Sequence, residues 1–489
     1  MAENVPLSEN KPALHTQQPI SYNIVDKTEF TANKEILTNV FESDIVMTED
    51  QMLDVIGAFQ QRVNGTNIRK KRKSIAGNSY RWANHTVPFV FRDSDPKWQL
   101  TVWLGMRKWE EETCIKFKQL HPQTHEKDYI YIFKGGGCYS SVGKIGGRQT
   151  ASIGYGCESA GIVAHEMGHA LGFWHEQNRG DRDEFINVNE DFILRGTKGN
   201  FEKRNDIEST DDIPYDFGSV MHYGPQAFSN DYKYITVETK DHRYQHTIGQ
   251  RSGLSFTDVK QANMMYCRDI CPNNITCQNG GYQDPKNCLI CKCPPGLTGD
   301  CTILAPSTPG CGGEMFALPT WQTLTSSIVG KCFWRLNAPT NQRIHFEVVH
   351  SSYSCDSSCS ENFLEIKHTK NWQQTGFRQC CRAVPGTIIS ESNQVIIFSN
   401  SKSAPADFTI RYIIDSPTLP PPPLANWNGD GLTSFLGGEI GIDNTLEHYI
   451  FNDFPKMFKR PKPSSPDKPI DLLTPFVTSF LRSIKQNHK

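Results

Sequence analysis

The chain lacks an apolar run at its start. The first thirty residues, MAENVPLSENKPALHTQQPISYNIVDKTEF, hold no stretch long enough for a signal peptide or a membrane span. One-sided charge is also missing: 51 Lys and Arg stand against 53 Asp and Glu, a formal net charge of −2. Such a balance gives no reason to expect nucleic acid or an anionic membrane as the main partner. Cysteine is plentiful. Sixteen cysteines, an even number set mostly in the later part of the chain, read as a disulfide framework from an oxidising compartment rather than as cytosolic thiols. Zinc-binding cysteines are the alternative. The disulfide pattern presupposes secretion, so we expect the start to be missing or alternative, with another export route as the other possibility. At 489 residues there is room for a large core and one or two further modules.

The densest chemistry is HEMGHALGFWH, His165 to His175. His165 and His169 are four apart and share one face of a helix. Neutral imidazoles so placed bind zinc, and Glu166 between them can take a proton from a water held by the metal. Gly172 stands where the helix must stop, because glycine takes the left-handed conformation that turns a chain back. His175 then returns to the same metal. A bare HExxH arises by chance on ordinary surface helices; the glycine and third histidine at their spacing make chance a poor explanation. Thermolysin-like enzymes use a distant glutamate as third ligand, and His175 argues against them.

HExxHxxGxxH followed by Glu176, then SVMHY from Ser219 to Tyr223, resembles the astacin family of metzincin zinc proteases. GCYSSVGKIGGRQTASIGYGC and IGQRSGLSFTDVKQANMMYC are similar to the same family, so the likeness covers residues 73–267. It implies a turn at Met221 beneath the metal and Tyr223 as an extra zinc ligand and second catalytic group beside Glu166. It implies that Glu176 meets a new amino terminus after processing, ordering the cleft floor only then. Arg251 would favour an acidic residue just after the cut bond; an ordinary structural arginine is the alternative. The family pattern pairs Cys114 with Cys267 and Cys138 with Cys157, where sequence alone allows three pairings. YIYIF, Tyr129 to Phe133, alternates like a strand, and aromatic helix residues precede it at Trp103 and Trp109. An α+β metzincin domain with a twisted sheet above the zinc cleft is expected.

Residues 1–72 read as a propeptide, with apolar residues in short helical pieces such as Ile36, Leu37, Val40 and Phe41. They end at RKKR, Arg69 to Arg72, a basic run that fits an acidic-pocketed, furin-type processing protease cutting after Arg72. FESDI, Phe41 to Ile45, resembles the element with which astacin propeptides silence the enzyme, and so implies Asp44 as a latency ligand on the zinc. Ser43 stands where the family usually has glycine, which puts the loop conformation in question.

After Cys267 the composition changes. Residues 268–302 hold six cysteines in a span too short to build a core without disulfides, and their CQNGGY and CKCPPGLTGDC phrases look like an EGF-like module with its pairing open. Residues 311–415 alternate through IHFEVV, FLEIK, QVIIFS and DFTIRYII, which suggests a β-sandwich. Their cysteines resemble a CUB module, and many nematode astacins carry both attachments. Residues 416–489 open on PTLPPPP, a polyproline spacer, and continue as a flexible tail. N-glycosylation sequons stand at Asn64, Asn84 and Asn274.

The resemblance implies a secreted zinc endopeptidase acting on extracellular or matrix proteins and peptides, made latent and then activated. The competing class is an adhesive EGF and CUB scaffold with an inactive protease domain. Such a relative would most easily lose Glu166 or a zinc histidine, and all are present.

Overall fold

The structure, a computed structural model, describes residues 28–415 apart from residue 38 and residues 64–76, 122–124, 205–212, 231–233 and 382–384. The basic run ending at Arg72, the sequon at Asn64 and the tail 416–489 therefore lie outside the described residues.

The described residues begin with helices α1 (Glu29–Ala32) and α2 (Glu49–Val63) flanking strand β1 (Ile45–Val46). The region around the histidine motif follows with β2 (Thr86–Phe91), α3 (Pro96–Glu112), β3 (Lys116–Gln119), β4 (Tyr129–Phe133), β5 (Cys138–Ser141), β6 (Arg148–Ile153) and α4 (Ala160–Ala170). After α4 come the short strands β7 (Ile186–Val188) and β8 (Val237–Thr239), and then α5 (Phe256–Tyr266).

One six-stranded sheet, in the order β1-β5-β6-β4-β2-β3, forms the upper half. Strand β4 shows why: its alternation turns Ile130 and Ile132 into the core, while the tyrosines stay part-exposed. Three tryptophans tie the layers, each fixing its indole N–H on a carbonyl: Trp82 to Ala170, Trp98 to Ile153 and Trp109 to Ala164, all at 2.8 Å. A buried indole needs such a partner. Gly105 on α3 lets α4 approach closely, since a Cβ there would lie 2.4 Å from Val163.

Among the described residues of the amino-terminal segment, the stretch around Ile36 to Phe41 departs from expectation. Only Glu29–Ala32 is helical near Ile36, Leu37, Val40 and Phe41; the chain from Asn33 to Asp44 runs through successive turns. Leu37, Val40 and Phe41 are buried because the wall of the cleft, rather than a helix face of their own, sets their spacing. The 15-residue α2 was not anticipated.

Eight disulfides join all sixteen cysteines, leaving none free for metal. Cys114 is bonded to Cys267 and Cys138 to Cys157. The next, disulfide-rich stretch carries β9 (Tyr282–Asp284), β10 (Asn287–Lys292), β11 (Leu297–Thr298) and β12 (Ile303–Leu304). Its pairs are Cys271–Cys288, Cys277–Cys291 and Cys293–Cys301.

A sandwich follows, built from β13 (Gly313–Phe316), β14 (Gln322–Ser326), β15 (Gly330–Asn337), β16 (Ile344–Tyr353), β17 (Phe363–Lys367), β18 (Phe377–Gln379), β19 (Thr387–Ile389), β20 (Gln394–Ser401) and β21 (Ala406–Ile414). Its sheets run β13-β15-β20-β17-β18 and β14-β21-β16-β19, with Phe346, Ile366, Ile397 and Phe408 buried in the core.

The sandwich docks on the region that carries the histidine motif through specific bonds. The Thr375 N–H donates to Asp216 Oδ1 at 3.0 Å, the Arg378 N–H to Thr247 Oγ1 at 3.0 Å, and Lys260 Nζ to Gln373 Oε1 at 2.6 Å. Gly218 has no room for a side chain, since a Cβ would meet Thr375 Oγ1 at 2.3 Å. Among the described residues no helix is long and apolar enough to cross a membrane.

Candidate metal centre

Helix α4 starts at Ser159, whose Oγ accepts from the Ile162 N–H at 3.1 Å, a side-chain cap for an otherwise unpaired donor. Its residues from Gly161 to Ala170 are all buried, so it runs through the core. Leu171 ends it, and Gly172 at φ +104 turns the chain in a conformation that favours glycine. His175 thereby comes back to His165 and His169, with ring centroids 4.7 to 5.4 Å apart.

All three imidazoles are held the same way. Nδ1 of His165 contacts the Val220 carbonyl at 2.8 Å, Nδ1 of His169 the Phe173 carbonyl at 2.9 Å, and Nδ1 of His175 the Glu42 carboxylate at 2.8 Å. With acceptors on Nδ1, a neutral ring keeps its proton there and turns the Nε2 lone pair towards a metal. The three Nε2 atoms converge on Asp44, whose Oδ2 lies 3.1 Å from His165 and 3.3 Å from His175, and whose Oδ1 lies 3.4 Å from His169. These four ligand atoms lie within 4.8 Å of one another, fully buried. A buried carboxylate ringed by three imidazoles in a dry pocket calls for a positive charge among them, a proton on a ring or a metal ion. Three imidazoles and one carboxylate are a donor set for tetrahedral zinc.

Glu166 lies between the first two histidines with no exposure, and neither carboxylate oxygen has a hydrogen-bond partner among the described residues. Burial raises its pKa well above the carboxylate range, and the charges of Asp44 and Glu29 push the same way. For Asp44 burial also works against the charge, but His175 and His169 win and hold its carboxyl well below the usual value.

Met221 lies under α4, where Gly168 makes room: a Cβ there would be 2.7 Å from the Met221 sulfur. The turn is fixed from α5 by Asp258, which accepts from Ser219 Oγ at 2.6 Å and from the Val220 N–H at 2.8 Å. Tyr223 packs tilted against His175, centroids 4.5 Å apart, and its hydroxyl donates to the Glu42 carbonyl at 2.6 Å. Burial, then Asp44 and Glu42, push its phenol pKa well up.

The segment before β1 fills the cleft. Phe41 and Ile45 exchange backbone bonds across a tight turn, with Glu42 at φ 45 and Ser43 at φ 72. Ser43 thus takes the left-handed conformation that glycine would adopt freely. Asn33 braces this turn on the sheet, donating to the Ser43 carbonyl at 2.9 Å and accepting from the Cys138 N–H at 2.7 Å. Further along, Arg251 grips Glu29 through Nε–Oε2 at 2.7 Å and Nη2–Oε1 at 2.6 Å. Burial opposes the Glu29 charge, but Arg251, helped by His165, brings its pKa down to about 2.

Glu176 is buried and accepts from Arg179 Nη1 at 3.2 Å and from the Asp216 N–H at 2.9 Å. With the amino-terminal segment in place, Arg179 supplies the charge that compensates the buried Glu176 carboxylate. Asn84 and Asn274 are exposed.

The motif reading missed Glu29, Glu42, Asn33, Gly168, Asp216 and Asp258. Two had a signal: a glycine inside a buried helix asks for a packing reason, and Ser255 to Asp258 has the spacing of a capping box. The others act through distant contacts that leave no local pattern.

A family model described as Astacin, a peptidase family, matches residues 74–267, and one described as CUB domain matches residues 321–412. Zinc metalloproteinase nas-30 of Caenorhabditis elegans is 43% identical over 464 residues, 93% of this chain and 61% of that protein, so the chain spans less than two thirds of that relative's length. Zinc metalloproteinase nas-26 of the same organism is 36% identical over 368 residues, 72% of this chain and 87% of that protein. Among solved structures, high choriolytic enzyme 1, a hatching enzyme zinc-protease from Oryzias latipes, is 34% identical and covers 40% of this chain and 98% of its own, with a TM-score of 0.37.

Proposed function

Because the chain belongs to the astacin family of peptidases, we propose that it is a secreted zinc endopeptidase, held latent by residues 1–72 and hydrolysing peptide bonds in extracellular or matrix proteins. The observation that carries this reading is the Asp44 carboxylate seated among three histidine Nε2 atoms.

His165, His169 and His175 hold the zinc. The ion, when bound, polarises the scissile carbonyl and lowers the pKa of water towards ~7. Glu166 takes the proton of the attacking water and delivers it to the leaving amine. Its unpartnered carboxylate is available for both transfers once Asp44 has gone. Tyr223, then free of the Glu42 carbonyl, donates a hydrogen bond to the oxyanion of the tetrahedral intermediate. Met221 supports the site from below. Arg251 receives an acidic side chain next to the cut bond, the position that Glu29 now fills.

Latency follows from the same contacts. Asp44 takes the open ligand position, Glu42 occupies the Tyr223 hydroxyl, and Glu29 neutralises Arg251. A furin-type protease cuts after Arg72, and the trimmed amino terminus joins the Glu176–Arg179 pair. Residues 268–302 form an EGF-like module, and glycans at Asn64, Asn84 and Asn274 accompany export; eight disulfides support an oxidising destination.

The test is direct. Zinc-loaded chain cut after Arg72 should hydrolyse peptides, whereas chain with Arg69–Arg72 replaced by alanine should not. Failure of the cut chain on a broad peptide library would sink the proposal.

A further inference from the structure

Arg251, the partner of Glu29, also borders an open cleft. Its volume is about 780 Å³, within the usual size of binding sites. Ser159 and Arg251 form one wall, Thr28 and Thr31 line it from the amino-terminal segment, and Ser354 and Glu361 of the sandwich stand opposite.

That opposite wall is built to hold its shape. The loop at 354–362 is stapled by Cys355–Cys381 and Cys359–Cys380. Asp356 organises it from within, accepting from the Ser358 N–H at 3.3 Å and the Ser360 N–H at 3.2 Å. Contact with the catalytic region is direct, His246 Nδ1 meeting the Ser357 carbonyl at 3.4 Å. The wider docking through Thr375 and Asp216, together with Gln374 Nε2 donating to the Tyr215 carbonyl at 2.7 Å, fixes the sandwich against the turn that carries Met221.

The amino-terminal segment already traces a route for a polypeptide. It lies on the histidines at Asp44, on Arg251 at Glu29, and reaches this cleft at Thr28. We infer that the CUB loop at 354–362 is part of the substrate site: it walls a subsite for the stretch of polypeptide several residues beyond the cut bond on the Arg251 side. The inference rests on the peptidase reading above. It makes the CUB module a determinant of which long substrates are cut, with serine side chains and turns offering hydrogen bonds to an extended backbone.

Two peptides with the same sequence around the cut bond test this, one ending two residues beyond it and the other eight. The zinc-loaded, processed full chain should cut the longer at least tenfold better in kcat/KM. Ser354→Trp and, separately, Glu361→Trp should each lower the long-to-short ratio at least fivefold, chiefly through KM. Thr340→Trp, on an exposed turn that does not line the cleft, should leave the ratio alone. Equal ratios in all four proteins, with unchanged melting temperatures, overturn the inference while leaving the peptidase reading intact. If the unaltered chain cuts neither peptide, the peptidase reading fails and takes this inference with it.

Discussion

Arg251 and Glu29 are 222 positions apart in the chain and form a two-bond ion pair with both side chains at most 4% exposed. Breaking such a pair from one side leaves a buried charge and costs about 3–5 kcal/mol. Carried into the docking of the amino-terminal segment, that loosens it by at least about a hundredfold. In chain made uncleavable at Arg69–Arg72, Glu29→Ala should therefore show basal peptide hydrolysis. The measurement is kcat/KM, and inertness equal to that of the uncleavable parent would show that the pair adds nothing to latency.

Asp44 makes a fourth contact in a closed site, so zinc should leave the uncut chain more slowly than the cut one. A chromophoric chelator follows the release. Asp44→Ala in the uncut chain should bring the rate towards that of the processed enzyme; identical rates in all three would remove Asp44 from the ligand set.

Glu166→Ala should abolish cleavage, a loss of at least about a hundredfold, with one zinc per chain retained by elemental analysis. Tyr223→Phe should lower kcat by about a hundredfold or more with less effect on KM. Full activity in the Glu166 variant would refute the assigned proton transfer.

Gly161 and Gly168 lie about two turns apart along α4 and meet different neighbours. A Cβ at Gly161 would lie 1.5 Å from the Arg251 carbonyl oxygen, which is backbone and cannot swing away, whereas at Gly168 it would meet the Met221 side chain at 2.7 Å. Gly161→Ala should thus lower the melting temperature more than Gly168→Ala, whose overpacking costs about 1–3 kcal/mol. The reverse order would contradict this packing.

Asp216 accepts from the Thr375 and Gly218 N–H groups and from Thr257 Oγ1 at 2.6 Å. Asp216→Ala strands these buried donors, each at a cost of about 1–3 kcal/mol. Limited proteolysis should then separate the CUB module from the catalytic domain sooner than in the parent. An unchanged digestion pattern would mean that the other docking bonds suffice.

The parts legible in the sequence were those in which neighbours dictate one another. The ligand helix, its glycine stop and the returning histidine lie within eleven residues, and strand β4 shows its alternation in five. The turns around Leu37, Val40 and Phe41 were misread as helix because their apolar residues answer to a surface formed elsewhere in the chain. Glu29 and Glu42 were invisible for a related reason: each gains its meaning from a partner more than a hundred residues away. Asp216 belongs with them, as nothing near it in sequence announces a contact with Thr375.

Ser43 bears on how long inhibition outlasts cleavage. An L residue in the left-handed region costs about 1–2 kcal/mol relative to its relaxed state, so the segment holds the cleft less firmly than its contacts alone would dictate. A free peptide of residues 28–47 should accordingly be a weaker inhibitor of the processed enzyme than the same peptide carrying Ser43→Gly, even after glycine's greater freedom in solution is counted. The backbone of one serine then governs dwell time: once the chain is cut, the severed piece departs early, and the interval between processing and full activity shortens.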